Sequence, residues 1–254
     1  MTPLLECVGV QKEFGGVVVT KGIDLGIKRG DVVGIIGANG AGKTTLFNIV
    51  SGYLRPSVGK VLFQGNDVTG LPPRVLVRKG IARSFQIPQL FQRSTARQNI
   101  MLALALLVEP QSSIMKNFED ASLAADADRV LVSYGLGRHS DMVVGKLPQG
   151  VRKLLDIAMA TCASPTLVLL DEPTSGVSSE EKHELMRALA QRFMATSTTV
   201  VFVEHDMEIV RKYASRVIAL YDGQIISDGA ADKVFADEKV VQLITGHSTS
   251  AQKN

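Results

Sequence analysis

One stretch of the chain, residues 37–45, constrains the possible folds more than any other. It fits the pattern Gly-x-x-x-x-Gly-Lys-Ser/Thr without a gap. It consists of Gly37, Ala38, Asn39, Gly40, Ala41, Gly42, Lys43, Thr44 and Thr45. A strand pattern from Val32 to Ile36 leads into it, and a helical pattern from Thr44 to about Val50 follows. This arrangement predicts a loop that cradles phosphate groups.

The residue types of the loop explain how it could bind phosphate. Glycines at positions 37, 40 and 42 allow successive backbone N–H groups to turn inward, and the helix start adds partial positive charge. Lys43 can reach β- and γ-phosphates, and the Thr44 hydroxyl can ligate Mg²⁺. An ordinary glycine-rich turn is the alternative, and it is the weaker one because both flanking elements are of the expected type. The spacing does not fit Gly-x-Gly-x-x-Gly, so a dinucleotide fold is disfavoured.

The amino-acid composition indicates which kinds of protein the chain can be. Of 254 residues 45% are apolar, which is enough to bury a core. The net charge is +3 with both signs interspersed, so we expect no nucleic-acid partner. The longest apolar run, Ile100 to Val108, is far shorter than the roughly 20 residues of a membrane-spanning helix, and no export signal is visible. Two distant cysteines, Cys7 and Cys162, favour a reducing cytosol over a disulfide framework.

The part of the chain up to about Phe85 shows short alternating strands separated by glycine turns. The predicted strands are Leu5 to Val10, Gly22 to Ile27, Val32 to Ile36 and Gly59 to Gln64. We expect a β-rich lobe around the strand that leads into the loop. Phe14 precedes the turn Gly15-Gly16, where an exposed ring could stack on a nucleotide base. A phenylalanine packed in the core explains this position equally well.

The middle of the chain changes to helix formers. Before the change, Gln86 follows a strand and could reach a metal ion or an attacking water molecule; an ordinary polar loop residue is the alternative. From about Arg97 to Tyr134, apolar residues recur three and four positions apart. We expect a small helical subdomain with a loop from Glu109 to Lys116. Further on, Gly150 opens a helix whose N-terminus could be a second anion site or an ordinary helix start.

Polar residues follow two buried strand patterns near the C-terminus. Leu167 to Leu170 is an apolar run that ends in Asp171 and Glu172. Ligands bind at the carboxyl edge of such sheets, so Asp171 could hold Mg²⁺ and Glu172 could orient or deprotonate water. An acidic turn is the alternative. His205 follows the next strand, Thr198 to Val203, and adds a third strand end at the same rim.

The remaining pattern predicts a helix, a hairpin and a final helix. Their bounds are Ser179 to Met194 for the helix, Arg216 to Tyr221 and Gln224 to Ser227 for the hairpin, and about Ala231 to Thr245 for the last helix. A polar tail follows from residue 246.

Taken in this order, the features resemble those of the ATP-binding subunits of ABC transporters over residues 4–245. The resemblance implies an α/β fold: a P-loop NTPase (RecA-like) core with an antiparallel β subdomain and an inserted helical subdomain. It implies one ABC ATPase domain, with the β-rich lobe and core at residues 4–86 and 163–245. The helical subdomain would cover about residues 87–162, and residues 246–254 would form the tail.

The resemblance also assigns roles to single residues. It implies that Phe14 stacks on adenine and that residues 37–45 form the Walker A loop, with Lys43 on the phosphates and Thr44 on Mg²⁺. It makes Gln86 the Q-loop glutamine, which reaches Mg²⁺ and the attacking water. Gly150 would belong to the signature that faces an ATP molecule held by a partner subunit.

Three strand-end residues receive roles in hydrolysis. The resemblance makes Asp171 the Walker B aspartate on Mg²⁺, Glu172 the catalytic glutamate and His205 the switch histidine. We therefore expect Lys43, Glu172 and His205 to meet at the terminal phosphate of ATP. The stretches Phe14-Gly15-Gly16, Arg83-Ser84-Phe85-Gln86 and Glu204-His205-Asp206-Met207 are most similar to the branched-chain amino acid type of importer subunit.

The sequence departs from the family pattern at two places. The signature Leu-Ser-Gly-Gly-Gln is replaced by Leu147-Pro148-Gln149-Gly150-Val151, and Ser178 stands where Asp or Asn is usual. In such proteins both segments face the phosphate loop of the partner in a head-to-tail dimer. The departures favour a heterodimer in which the Walker A site of this chain is competent and its signature face builds a weakened second site.

The resemblance implies an ATPase subunit on the cytoplasmic face of the inner membrane, peripheral to it. Its partners would be a second ABC ATPase subunit, transmembrane permease subunits and, indirectly, an extracytoplasmic solute-binding protein. The helical insert and residues 86–98 would dock the permease. Branched-chain amino acids are the leading cargo, with urea, other amides and small carboxylates as alternatives. A soluble ABC ATPase outside transport and a P-loop kinase of small molecules are weaker alternatives.

Overall fold

The computed structural model of the chain describes residues 2–86, 89–108 and 121–246. The chain forms two compact units, the first of Met1–Ile81 with Thr199–Asn254 and the second of Ala82–Thr198. The predicted loop from Glu109 to Lys116 and the predicted tail beyond residue 246 lie outside the described residues.

The strands are numbered in chain order. They are β1 (Leu5–Phe14), β2 (Val17–Ile27), β3 (Val32–Gly37), β4 (Val58–Phe63), β5 (Asn66–Asp67), β6 (Ile81–Ser84), β7 (Leu167–Asp171), β8 (Thr199–Val203), β9 (Arg216–Tyr221) and β10 (Gln224–Gly229). The described helices are α1 (Lys43–Val50), α2 (Pro73–Lys79), α3 (Ala96–Val108), α4 (Ala121–Ser133), α5 (Gln149–Thr161), α6 (Ser179–Ala195), α7 (Met207–Tyr213), α8 (Ala231–Phe235) and α9 (Glu238–Val240), with a π-helical turn at Val241–Thr245.

An antiparallel sheet in the first unit has the strand order β2-β1-β4-β5. Strands β1 and β2 form a hairpin across Gly15-Gly16 and pair from Leu5 with Ile27 up to Phe14 with Val17. Both strands are longer than predicted, because the ladder between them continues to the hairpin turn, where Phe14 pairs with Val17. This sheet is the antiparallel β subdomain that the predicted fold includes. The strand β3, expected at the centre of the β-rich lobe, belongs to a different sheet.

A second sheet of the first unit carries the phosphate loop. Within this unit its strand order is β10-β9-β3-β8, and β3 runs parallel to both β8 and β9. The buried side chains of Val33, Ile35 and Ile36 make β3 a central strand, as its apolar run predicts. Parallel pairing places the carboxyl ends of these strands at one edge, where ligands bind in open α/β sheets.

Two helices of the first unit were not predicted. Apart from the helix that follows the phosphate loop, only strands were expected up to Phe85. This is wrong at α2, where Pro73 occupies the first helical turn and Gly80 ends the helix with φ 99°. The Pro-Pro pair resembles a turn in sequence, yet proline also suits the first position of a helix. Helix α7 is capped by Asp206, whose Oδ1 accepts hydrogen bonds from the N–H groups of Glu208 and Ile209.

The second unit contains the helices predicted for the middle of the chain. Helices α3, α4 and α5 all fall inside the predicted helical range of residues 87–162, and the domain boundaries themselves stay a prediction. All five residues of β7 are buried, as the run from Leu167 predicted. Helix α6 begins after Ser178, whose Oγ accepts a hydrogen bond from the N–H of Glu181. Among the described residues, no helix is both long and apolar enough to cross a membrane.

Candidate nucleotide-binding site

The phosphate loop connects β3 to α1 with the strand-loop-helix geometry predicted from its sequence. Two of its glycines are required by the backbone. A Cβ at Gly37 would overlap the main-chain oxygen of Leu220. Gly42 has φ 98° immediately before α1, a conformation that side chains disfavour. The loop therefore presents backbone N–H groups at the N-terminus of a helix.

Lys43 is held inside this loop. Its side chain is 6% exposed, and Nζ donates hydrogen bonds to the main-chain oxygens of Gly37 at 2.7 Å and Ala38 at 2.9 Å. These two hydrogen bonds hold the ammonium group inside the phosphate loop. An incoming phosphate has to compete with these carbonyls, which an anionic oxygen can do because charge-assisted hydrogen bonds are the stronger ones.

The turn of the β9–β10 hairpin supports the loop from the side. The N–H of Gly223 donates to the main-chain oxygen of Ala41 at 3.2 Å, and the oxygen of Gly223 accepts from the N–H of Lys21 at 2.9 Å. Gly223 has φ 75°, and a Cβ there would overlap the main-chain oxygen of Val19. The sequence predicts the hairpin but not this support, because contacts between residues so far apart in the chain leave no local signal.

His205 lies at the same sheet edge as the phosphate loop. Ile35 of β3 pairs with Val203 of β8, so Gly37 and His205 each lie two residues beyond a paired position. The N–H of Glu204 also donates to the oxygen of Ile35 at 3.5 Å. The predicted convergence of these two strand ends is thus present in the first unit.

Phe14 is exposed at the end of β1. Its side chain is 45% accessible, and the ammonium of Lys12 lies 5.0 Å from the ring centroid. The alternative of a core phenylalanine is therefore wrong. An accessible ring with a neighbouring cation is chemically suited to stacking on a base above anionic phosphates.

The second unit brings Gln86 and Glu172 together. Nε2 of Gln86 donates a hydrogen bond to Oε2 of Glu172 at 2.6 Å. Glu172 has φ 48°, which places a residue with a side chain in the left-handed region. Such conformations cost free energy and occur most often where geometry serves function. The structure thus pairs these two predicted site residues, and the role of Gln86 stays a prediction.

Asp171 forms a buried ion pair that sequence analysis did not find. Nη2 of Arg83 lies 2.8 Å from Oδ2 of Asp171, and the two side chains are 5% and 9% exposed. The guanidinium also lies 5.0 Å from the centroid of the Phe85 ring. The arginine fixes the orientation of the carboxylate and balances its charge where water is scarce. The two residues are 88 positions apart, so no local pattern in the sequence predicts the pair.

Helix α5 begins at Gln149, next to Gly150, as predicted. A Cβ at Gly150 would come 3.4 Å from Oε1 of Glu181, so a carboxylate of the same chain borders this helix start. Gln149 accepts a hydrogen bond from Arg152 at 2.5 Å. A Cβ at Gly176 would lie 3.8 Å from Nε2 of Gln149. The altered signature therefore lies next to the loop that ends in Ser178, the other departure from the family pattern.

Farther along α5, two buried charged residues contact the segment that carries Gln86. Nζ of Lys153 donates to the main-chain oxygens of Phe85 and Gln86. Oδ1 of Asp156 accepts from the N–H of Gln89 at 2.7 Å. Burial raises the pKa of the Asp156 carboxyl to about 6, although the Gln89 hydrogen bond and Lys153 oppose that rise.

The predicted site residues thus divide between the units. The first unit brings together the loop of residues 37–45 and His205, with Phe14 on the neighbouring sheet. The second brings together Gln86 and Glu172, and places Gly150 at a helix start. The expectation that Lys43, Glu172 and His205 meet at one phosphate stays a prediction.

The strand-loop-helix geometry, with its buried lysine and parallel strands, defines a P-loop NTPase. Comparison with known proteins shows which family of P-loop NTPases the chain belongs to. The family model described as ABC transporter matches residues 20–175, more than half of the chain. The chain therefore belongs to the ABC transporter family, and it is an ABC ATPase, which binds and hydrolyses ATP.

Relatives of known name match over nearly the whole length. The chain is 30% identical to the high-affinity branched-chain amino acid transport ATP-binding protein BraF of Pseudomonas aeruginosa, with coverage of 97% of this chain and 99% of BraF. It is 29% identical to the corresponding LivG of Escherichia coli, with the same coverage of 97% and 99%. The predicted likeness to this type of subunit is confirmed.

Solved structures of ATP-binding cassettes are similar in fold. The ADP conformation of MJ1267 has a TM-score of 0.85 and 29% identity, covering 96% of this chain and 98% of that chain. The dimeric post-hydrolysis state of MJ0796, bound to ADP and Pi, has a TM-score of 0.75 and 26% identity, covering 89% and 98%. The predicted α/β P-loop NTPase fold is confirmed.

Replacing Gly223 by Ala tests the support of the phosphate loop. The new Cβ overlaps the Val19 oxygen, so we expect the free energy of unfolding to fall by roughly 2 kcal/mol and ATP affinity to fall several-fold. Urea unfolding and titration with a fluorescent ATP analogue measure the two effects. Gly65→Ala is a matched control, since Gly65 also has φ 75° but a Cβ there meets open space. Equal ATP affinity in both variants would contradict the support.

Replacing Asp156 by Asn tests the buried carboxyl. A pKa raised in the folded state means that its stabilisation is present below about pH 4 and is lost as the pH rises through about 6. We expect Asp156→Asn to equal the parent near pH 4 and to exceed its free energy of unfolding by up to about 3 kcal/mol at pH 7.

Urea unfolding across this pH range measures the difference. Asp67→Asn is a control of opposite sign, because hydrogen bonds from Thr69 lower the pKa of the exposed Asp67 carboxyl. That variant should be less stable than the parent near neutral pH, and the deficit should shrink as the pH falls. A pH-independent effect of Asp156→Asn would show that the buried acid does not titrate as inferred.

Proposed function

We propose that this chain is the ATP-hydrolysing subunit that energises a separate membrane permease for uptake of branched-chain amino acids or a related small polar solute. The observation that carries the proposal is the similarity to BraF and LivG over nearly the full length of the chain. Urea, other amides and small carboxylates are the alternative cargoes. The chain would act at the cytoplasmic face of the inner membrane.

In the first unit, the residues of the phosphate loop would bind ATP. Exposed Phe14 would stack on adenine, and the backbone of residues 37–45 would hold the phosphates. Lys43 would exchange its two carbonyl partners for β- and γ-phosphate oxygens. His205, at the end of β8, would contact the γ-phosphate at the carboxyl edge of the sheet.

In the second unit, Glu172 would orient or deprotonate the attacking water. Its hydrogen bond to Gln86 positions the carboxylate. Catalysis in such a site comes from positioning and from neutralising the γ-phosphoryl charge. The bond between Gln86 and Glu172 therefore supports roles for both residues in one step.

The side chains assigned to Mg²⁺ have the right chemistry for it. Thr44, Gln86 and Asp171 supply hydroxyl, amide and carboxylate oxygens, the hard ligands that Mg²⁺ prefers. The hydrogen bond from Arg83 holds the Asp171 carboxylate in one orientation, as an ordered ligand requires. Held by these side chains, Mg²⁺ would supply positive charge that neutralises the phosphates.

A groove in the second unit would dock the permease. It has a volume of about 270 Å³, and Phe91, Leu102, Leu106 and Met159 are among its lining residues. Phe91 and Leu106 are 53% and 52% exposed, which is unusual for large apolar side chains. Such a groove suits an amphipathic helix of a membrane partner. Residues 86–98, the segment expected to dock, contribute Gln89 and Phe91 to it.

The signature face supports pairing with a different ATPase subunit. Gln149 stands where the family has glycine and lies beside Gly176 of the loop that ends in Ser178. Its side chain, bonded to Arg152, fills the place that a glycine would leave open. We infer a heterodimer in which the phosphate loop of this chain is competent and the site built by its signature face is weakened.

Replacing Glu172 by Gln tests the catalytic assignment. Glutamine keeps the size of the side chain but removes its basicity, so we expect kcat for ATP to fall at least about 100-fold while the Kd for ATP stays within about twofold. Phosphate release and equilibrium binding measure the two quantities. Exposed Glu238→Gln is the control and should retain parental kcat. Loss of ATP binding in Glu172→Gln would contradict the assigned role.

Purification of the tagged chain from native membranes tests the partners. We expect it to copurify with multi-span permease subunits and a second ABC ATPase, and Phe91→Asp to reduce the permease yield because a charge enters the apolar groove. Exposed Val132→Asp is the control for a new surface charge. Copurification with ribosomes or nucleic acid would contradict the proposed role in transport.

A symmetric homodimer that hydrolyses two ATP at equal rates would contradict the heterodimer.

A further inference from the structure

Lys153 is a buried lysine whose partners are main-chain oxygens. It lies on the first half of α5 and is 1% exposed. Its Nζ donates to the oxygen of Phe85 at 3.4 Å and to the oxygen of Gln86. Burying an ammonium group costs free energy, and this cost is offset when strong acceptors surround it. The acceptors here are two consecutive carbonyls of the residue pair that ends in Gln86.

Asp156 holds the other side of the same segment. It lies one helical turn after Lys153 and is 7% exposed. Its Oδ1 accepts from the N–H of Gln89 at 2.7 Å. Residues three apart on a helix share a face, so both side chains reach the same segment. Their opposite charges attract each other, which reduces the cost of burying both.

We propose that Lys153 and Asp156, here called the α5 clamp, are positioning residues that hold Gln86 in place to bond Glu172. Lys153 bonds to the backbone at Phe85 and Gln86, and Asp156 bonds to the backbone at Gln89. Fixing the backbone at Phe85, Gln86 and Gln89 leaves the Gln86 side chain few alternatives to its 2.6 Å bond with Glu172. The inference rests on the proposed role of Gln86 and Glu172 in ATP hydrolysis.

The clamp also borders the proposed docking groove. Asp156 and Gln89 both line that groove, together with Phe85. An occupant of the groove would thus contact the residues that fix the Gln86 backbone. Residues of α5, and not only the loop that carries Gln86, would then determine the geometry of Gln86.

A double-mutant cycle of ATP hydrolysis in the full chain tests the proposal. We expect Lys153→Met to lower kcat about tenfold while KM for ATP stays within about twofold, because the phosphate loop is unaltered. In a Gln86→Ala background, Lys153→Met should lower kcat by less than about twofold further, since the positioned group is gone. Equal losses in both backgrounds would overturn the clamp. Lys146→Met, at an exposed lysine of the same unit, is the control.

Hydrogen exchange at the Gln89 amide gives a readout that does not depend on catalysis. Asp156→Ala removes the acceptor and should speed exchange about tenfold, whereas Asp156→Asn keeps an acceptor oxygen and should stay within about threefold. Unchanged exchange of the Gln89 amide in Asp156→Ala would overturn the clamp. This outcome counts even if Lys153→Met fails to fold. If Gln86→Ala itself leaves kcat unchanged while exchange responds as expected, the proposed catalytic role of Gln86 fails and the backbone contacts stand.

Discussion

The parallel pairing of β3 with β8 and β9 is the interaction on which the first unit depends. It aligns three carboxyl ends at one edge, so that the phosphate loop begins where the β8 end and the β9–β10 turn are within reach. Glycine at position 37 lets the loop pass close to Leu220, and glycine at 223 lets the hairpin turn bond to Ala41. The phosphate loop is thus shaped by the sheet beneath it as well as by its own glycines.

Buried charge is the second organising feature, and three buried cations have acceptors close by. Lys43 is bonded to carbonyls of its own loop, and Lys153 to carbonyls near Gln86. Arg83 balances Asp171 across a 2.8 Å ion pair. Removing one partner of such a group leaves an uncompensated charge away from water, which is costly. These bonds therefore favour one conformation of the phosphate loop in the first unit. In the second unit they favour one conformation of the segment near Gln86 and of the Asp171 carboxylate.

Local patterns in the sequence were sufficient for much of this fold and site. The phosphate loop, the buried strand before Asp171 and the start of α5 near Gly150 follow from short-range spacing, and the structure has them where predicted. Helix α2 was missed because Pro72-Pro73 suits both a turn and a helix start. The ion pair of Arg83 with Asp171 joins residues 88 positions apart, which no local pattern predicts. The support from Gly223 depends likewise on strand order.

The left-handed backbone of Glu172 has an evolutionary consequence. Glycine or asparagine would adopt φ 48° more easily than glutamate, so the chain would gain stability by giving up the carboxylate. A population selected for heat tolerance alone would drift toward those residues at this position, and under the proposed role of Glu172 it would lose turnover. Keeping glutamate at position 172 therefore lowers the free energy of unfolding. Other interactions of the second unit have to offset this loss.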